Sequence, residues 1–387
     1  MKIVDIREIT IPLGSNIRNA VIDFTTMTIS VVAIITDVQL KGKPLIGYGF
    51  NSNGRYGQGG ILRERIIPRL LNAQSDQLLN DSWTNVDPFK CWKIMMTNEK
   101  PGGHGDRSVA VGTIDMALWD LAAKVEDRPL YSLLADRFNN NKFDDSVYVY
   151  AAGGYYYPGK DLDGLQDEFS KYLDMGFDTC KMKIGGASMA EDFNRIEAAL
   201  KIVGSGSNLA VDANGVFNRS QAMEFGRAIE GYALKWYEEP VDPLDYHATA
   251  ALAAGTVTPL ATGENIFSTI DSQNLVRYGG LIDERDYLQF DPVLSYGLVE
   301  YLATLKMLKN NGWSHRRCIP HGGHLFGVHL AAGLGLYGME AYPNVFVPFG
   351  YFTDDMILED GQVNLPQAPG IGFETVPDIY QILTKLS

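Results

Sequence analysis

From about residue 147 the chain repeats one pattern: a short apolar run closing on a polar residue, then a stretch with apolar positions at helical spacing. The runs are VYVYAAGG, DTCKMKIGG, NLAVDANG, LKWYEEP, PLATGEN, DYLQFDP, RCIPHGG and MEAYPNVF, eight in all. Between them, stretches such as GLQDEFSKYLDMGF and AEDFNRIEAALKIV carry a helical stripe, which predicts βα units and a parallel sheet. The first third differs. Extended candidates MTISVVAIITDV and PLIGYGF flank the turn-prone NSNGRYGQGG, and helical patterns follow in ILRERIIPRLL and SVAVGTIDMALWDLAAKV, separated by the loop NEKPGGHGD. That order predicts an α+β unit over residues 1–136, then a βα array over 137–346. The Pro- and Gly-rich segment 347–387 has no clear period.

The last polar residues of the second to seventh runs are Lys183, Asp212, Glu238, Glu264, Asp291 and His321, at steps of 29, 26, 26, 27 and 30 residues. One strand, one helix and two loops fill such a step. A doubly wound open sheet shares that rhythm, but titratable ends on successive strands are what a ring of strand C-termini around one site requires. The predicted fold class is therefore α/β, a (β/α)8-type TIM barrel.

Lys and Arg number 33 against 47 Asp and Glu, a net charge of −14, which argues against nucleic acid or an anionic membrane as partner. A small anionic substrate has to be attracted locally. Cys91, Cys180 and Cys318 are odd in number and widely spaced, so no disulfide framework is expected. With neither a signal-peptide pattern nor a transmembrane run, the expected location is the cytoplasm.

Lys181 and Lys183 share one face of their strand, while Cys180, Met182 and Ile184 share the other. Two ammonium groups pointing into a barrel mouth need nearby carboxylates. The next three strands supply Asp212, either Glu238 or Glu239, and Glu264. Three clustered carboxylates repel one another without a cation, and all-oxygen ligation predicts Mg²⁺. Asp291 and His321 lie on the opposite side of the ring; a carboxylate on an imidazole favours its protonated form and makes a general acid. A zinc amidohydrolase is disfavoured, because the first strand ends in AAGGYYY rather than His-x-His.

Lys-x-Lys, then Asp, Glu and Glu, then Asp and His, on successive strands, resemble the mandelate racemase subgroup of the enolase superfamily. Within it the chain is similar to the D-tartrate dehydratases, through GYGFNSNGRYGQGG, NEKPGGHG, YAAGGYYYPGK, KMKIGG, LQFD and CIPHGGH. The resemblance implies a modified (β/α)7β barrel, an N-terminal capping domain completed by the C-terminal tail, and a homo-oligomer. It assigns Asp212, Glu238 and Glu264 to Mg²⁺, Lys183 as base with Lys181 beside it, and His321 backed by Asp291 as acid. It also implies Glu340, Asn19, Asn53, Lys100 and Tyr155 as substrate contacts. Asp291 is followed here by PVLSYG, where many relatives carry a Gly-Gly-hydrophobic-Thr run.

The implied chemistry is α-proton abstraction to an enediolate, then loss of the β-hydroxyl to give a 2-keto acid, with loops 14–25 and 51–60 as lids. Lys183 is expected to be neutral, depressed by burial, Lys181 and the cation. A protonated Glu340 is expected to donate to the substrate. Alternatives are dehydration of a longer acid sugar, racemisation or epimerisation, and a non-catalytic binding role.

Overall fold

The computed structural model describes all residues except 53, 54, 158, 351 and 354. Strands β1 (Ile3–Pro12), β2 (Thr28–Leu40) and β3 (Lys43–Phe50) form an antiparallel sheet in the order 1-2-3. Its central strand is buried from Ser30 to Ile35 on both faces, which is why that run reads as continuously apolar. Against it packs the helix Asp106–Val125, buried from Ser108 to Ala123. Close approach is needed on two sides. A Cβ on Gly47 or Gly49 would strike this helix's backbone, and one on Gly112 would lie 1.8 Å from the Val293 carbonyl oxygen of the barrel. Glycine is the residue that lets cap and barrel touch there.

The second unit is a closed α/β barrel. Strands β4 (Ser146–Gly153), β5 (Cys180–Lys183), β6 (Leu209–Asp212), β7 (Tyr237–Glu238), β8 (Leu260–Thr262) and β9 (Tyr287–Leu288) pair in parallel in sequence order. The seventh predicted run is reduced to one parallel bridge, Leu288 to Cys318, with Ile319 N–H donating to the Leu288 carbonyl at 2.8 Å. β10 (Met339–Ala341) closes the ring on β4. Helices 162–174, 189–203, 219–229, 246–255, 269–278, 298–310 and 325–334 fill the seven intervals, so the architecture is (β/α)7β. Their starts are written locally: Ser188 with Glu191 and Asn218 with Gln221 form capping boxes, and Asp161 caps the helix at Leu162.

Alternation divides each strand. Cys180 and Met182 point outward into the helix-packed core, fully buried. Inside the ring, Tyr150, Ala210, Trp236, Ala261 and Ile319 form a separate buried apolar cluster. Ala210, Trp236 and Ile319 sit two residues before Asp212, Glu238 and His321, so the same parity that lays a dry floor raises the polar residues above it.

The tail, unplaced by pattern, ties the two units together. β11 (Leu358–Glu359) and β12 (Gln362–Asn364) form a hairpin whose second strand pairs antiparallel with β4. Ile371 N–H then donates to Asp120 of the cap helix at 2.7 Å, and Arg7 of β1 donates to the Leu386 carbonyl at 3.0 Å. Among the described residues, no helix is long and apolar enough to cross a membrane.

Candidate active site

Register sets the site. Lys183 lies beside Asp212 and Asp212 beside Glu238 across β5, β6 and β7, while Glu340 of β10 lies beside Tyr150 of β4. Glu264 follows Gly263, whose φ of 128° turns the chain inward past the end of β8. Asp212, Glu238 and Glu264 each offer an oxygen, all within 4.8 Å of one another. Glu239 leaves the strand at φ 36° and is held instead by the Asn265 amide, at 2.9 and 3.2 Å. That backbone turn, invisible to strand parity, separates the two glutamates: Trp236 and Gln289 donate to Glu238 at 2.8 and 2.9 Å and aim it into the ring.

Both lysines are buried, and both touch this cluster. Lys183 pairs with Asp212; Lys181 pairs with Glu238, with Glu340 at 3.0 Å, and with Asp212 at 3.6 Å. Burial pulls both ammonium groups down, but the adjoining carboxylates outweigh it and hold both above the ordinary lysine range. The expected depression of Lys183 is thus absent from the protein's own charges, because Asp212 is in direct contact. It needs further positive charge on the carboxylates. Glu340 differs from expectation as well. Burial pushes its carboxyl up, yet Lys181 and His321 prevail and hold it well below the carboxylate range, so it is an acceptor rather than a donor.

The donor set fits a hard divalent cation. Burial, then the neighbouring charge of Asp212, pushes Glu238 up to about 8, the mark of carboxylates crowded beyond what two ammonium groups offset. Beside Asp212 the buried Asn214 Oδ1 has no hydrogen-bond donor. Oxygen-only donors at this spacing suit Mg²⁺.

Opposite the lysines, His321 Nδ1 meets Asp291 Oδ2 at 2.7 Å. The Asp291 carboxylate is fixed by the amides of Val293 and Leu294 at 2.7 and 2.8 Å and by the Ser52 hydroxyl at 2.6 Å. The turn after Asp291 therefore supplies two backbone donors without a Gly-Gly run. His321 Nε2 faces Glu264 at 3.2 Å, Tyr342 at 3.3 Å and Glu340 at 3.4 Å. Burial opposes protonation, but Glu264, Glu340 and Asp291 raise the imidazole to about 10, so it carries its proton at neutral pH. Gly322 is required next to it: at φ 116° a Cβ would meet His324 and Ser52 at 2.6 and 2.7 Å.

Lys183, Glu264 and His321 line one cavity of about 370 Å³, with Asn19, Tyr155 and Tyr342. Asn19 spends its carbonyl on the amides of Val21 and Ile22, at 2.8 and 2.7 Å, shaping the 14–25 loop over the mouth. The Lys183 ammonium lies 5.2 Å from the centre of the Tyr155 ring. Lys100 is exposed and does not line the cavity; its carbonyl accepts from Arg107 at 3.0 Å. Asn53 lies outside the described residues. Sequence reasoning missed Ser52, Arg55, Asn265, Gln289 and Tyr342. Of these, Gln289, two residues before Asp291, was open to parity; Ser52 and Arg55 come from a cap loop with no period to read.

A (β/α)7β barrel that gathers a carboxylate cage, two lysines and an Asp–His pair at its strand C-termini has the make-up of metal-assisted proton-abstracting enzymes. Residues 8–135 match the mandelate racemase/muconate lactonizing enzyme N-terminal domain, and residues 164–379 match the enolase C-terminal domain-like family. The chain belongs to the mandelate racemase/muconate lactonizing enzyme family of the enolase superfamily.

Two relatives indicate the neighbourhood. An arabinonate dehydratase of Saccharolobus solfataricus is 28% identical over 87% of this chain and 87% of its own. An L-talarate/galactarate dehydratase of Salmonella typhimurium is 29% identical over 94% and 86%. In structure, an L-talarate dehydratase from Polaromonas sp. JS666, complexed with Mg and L-glucarate, matches with a TM-score of 0.75 and 28% identity over 95% of this chain and 92% of that one.

Proposed function

We propose that the protein is a Mg²⁺-dependent hydro-lyase that takes the α-proton from a hydroxy-dicarboxylic acid and expels its β-hydroxyl as water, giving a 2-keto acid. The observation that carries this reading is the meeting of two groups in one cavity: Lys183 beside the carboxylate cage, and His321 held through Nδ1 by Asp291. In this reading Asp212, Glu238 and Glu264 hold Mg²⁺, which supplies positive charge where the substrate carboxylate becomes anionic.

Lys183 is the base that removes the α-proton; Asp212, which holds its ammonium here, would hold the cation when it is bound. Lys181 stays charged between Glu238 and Glu340 and stabilises the developing anion. His321, oriented through Nδ1 by Asp291, delivers its Nε2 proton to the departing hydroxyl. Protonation of the resulting enol at carbon completes the keto acid.

Two substrates fit this reaction. The talarate and galactarate specificity of the relatives supports a longer acid sugar. D-tartrate, whose product is oxaloacetate, has the narrower support of the resemblance carried by the runs NSNGRYGQGG, KMKIGG and CIPHGGH. A Mg²⁺-supplemented panel of tartrate stereoisomers, aldarates and aldonates, read by a carbonyl-trapping reagent, tests both. Keto acid is expected from a diacid; isomerised acid without keto product would replace the hydro-lyase by a racemase.

A further inference from the structure

We propose that Tyr296 is a positioning residue for the acid: gripped by the cap, it fixes the turn that aims Asp291 at His321, although it does not itself line the cavity. This rests on the hydro-lyase reading above, in which His321 delivers the proton. Asp291 lies beyond the end of its strand, since β9 stops at Leu288. The turn that follows holds it instead. The Val293 and Leu294 amides fix its carboxylate, and its carbonyl accepts from the Ser295 amide at 3.2 Å and the Ser295 hydroxyl at 2.5 Å. Tyr296, at φ 64°, and Gly297, at φ 93°, then reverse the chain into the helix at Leu298. Glycine adopts such a backbone readily; a bulky side chain persists there only where its surroundings over-determine it.

The cap supplies those surroundings. The Tyr296 carbonyl accepts from the Trp92 indole N–H at 2.9 Å, and its hydroxyl accepts from Arg107 Nε at 2.8 Å and meets His104 Nδ1 at 3.0 Å. Arg107 is itself clamped, donating to Glu99 and the Lys100 carbonyl at 3.0 Å and to the Gly102 carbonyl at 2.7 Å. The runs NEKPGGHG and PVLSYG thus meet at one phenol. The same cap helix brackets the turn on both sides of it: Gly112 packs on the Val293 carbonyl, and Asp115 accepts the Leu298 amide at 2.5 Å. A turn pinned at 293, 296 and 298 sets the two amides that hold Asp291, and Asp291 sets the direction of the imidazole through the 2.7 Å bond to Nδ1. Lys183, on β5, takes part in none of these contacts, so loosening the grip reaches the acid and spares the base.

Two readouts on the Mg²⁺-loaded full chain test this. With isotope-labelled histidine and no substrate, wild type is expected to show a downfield Nδ1–H resonance in NMR, identified by its loss in His321→Asn. Tyr296→Phe keeps the ring and removes the hydroxyl; it should shift that resonance or broaden it beyond detection. Trp92→Phe, which withdraws the donor to the Tyr296 carbonyl, should do the same. During turnover in deuterium oxide, the ratio of substrate α-proton exchange to keto acid formed should rise roughly tenfold in Tyr296→Phe, the scale of one hydrogen bond to a charged group. Elimination slows there while proton abstraction continues. An unaltered His321 resonance in Tyr296→Phe, or its absence from wild type, overturns the proposal. A parallel fall of exchange and elimination overturns it too, by making Tyr296 only a seam between cap and barrel. Failure of the hydro-lyase reading would show differently, as absence of keto acid from every acid tested with wild type, and it leaves the resonance test standing.

Discussion

Among the described residues, the cap and the barrel mouth each hold a buried lysine–carboxylate cluster, and only one of them looks like chemistry. In the cap, Lys124 is enclosed by Asp120 at 2.6 Å, Glu374 and the Ile46 carbonyl at 3.0 Å. Asp120 in turn accepts the amides of Tyr48 and Ile371 at 2.8 and 2.7 Å. The ammonium and both Asp120 oxygens have fixed local partners, and the cluster ties the tail to the cap sheet. At the barrel mouth, Lys181 and Lys183 face Asp212, Glu238, Glu264 and Glu340, and carboxylate oxygens of three of these stand within 4.8 Å of one another. Burial and ion pairing are common to both. What separates them is convergence: at the mouth, carboxylates from three successive strand ends crowd one point, and that point opens on a cavity.

The comparison is most exposed to failure at Lys183. Lys183→Ala should slow exchange of the substrate α-proton with solvent deuterium by about 10² to 10⁴-fold, the usual scale for a general base. Exchange at the wild-type rate, followed by NMR, would remove Lys183 as base and make the two clusters equivalent.

Asp120→Ala should do the reverse. Leaving the Tyr48 and Ile371 amides without an acceptor, and Lys124 with Glu374 as its carboxylate, is expected to cost about 2 to 5 kcal/mol in denaturant unfolding, with Mg²⁺ affinity and kcat of the remaining folded protein unchanged. Loss of Mg²⁺ affinity would show that the cap cluster reaches the site.

Ser52→Ala probes whether a cap residue tunes the acid. Losing one hydrogen bond to a charged acceptor is worth about 1.5 to 3 kcal/mol, so kcat should fall at least tenfold at nearly constant KM, with Ser52→Thr recovering most of it. A change in KM alone would assign Ser52 to loop closure instead.

The smallest effect concerns pH. His321 has a folded value of about 10, above its unfolded value of about 6.5, so its stabilisation is complete below pH 6.5 and fades as pH rises through 10. In EDTA, the melting temperature of wild type should decline more steeply than that of His321→Asn between pH 7 and 10. Parallel curves would mean the imidazole is uncharged.

Much of this was written in the chain because strands and barrel ends obey period two. Lys181 with Lys183, and Asp212, Asp291 and His321 at strand ends, all follow from that alternation. Where the backbone departs from the strand, parity is silent: Glu238 and Glu239 are separated by a left-handed turn, and the seventh strand has shrunk to one bridge. Contacts between distant loops leave no trace either. Ser52 and Asp291 are 239 residues apart, and nothing near either residue announces the other. Protonation states escape such reading for a different reason, since they depend on the sum of all neighbouring charges, a bound cation included, rather than on any one spacing.

The apolar floor of Tyr150, Trp236 and Ile319 has a consequence for traffic. With the barrel corked from below, the chamber is lined among the described residues by Asn19 and Arg55 of the cap. In the proposed reaction, acid, water and keto product would all pass that side in turn, so passage there, and not the acid or the base, would set the ceiling on turnover.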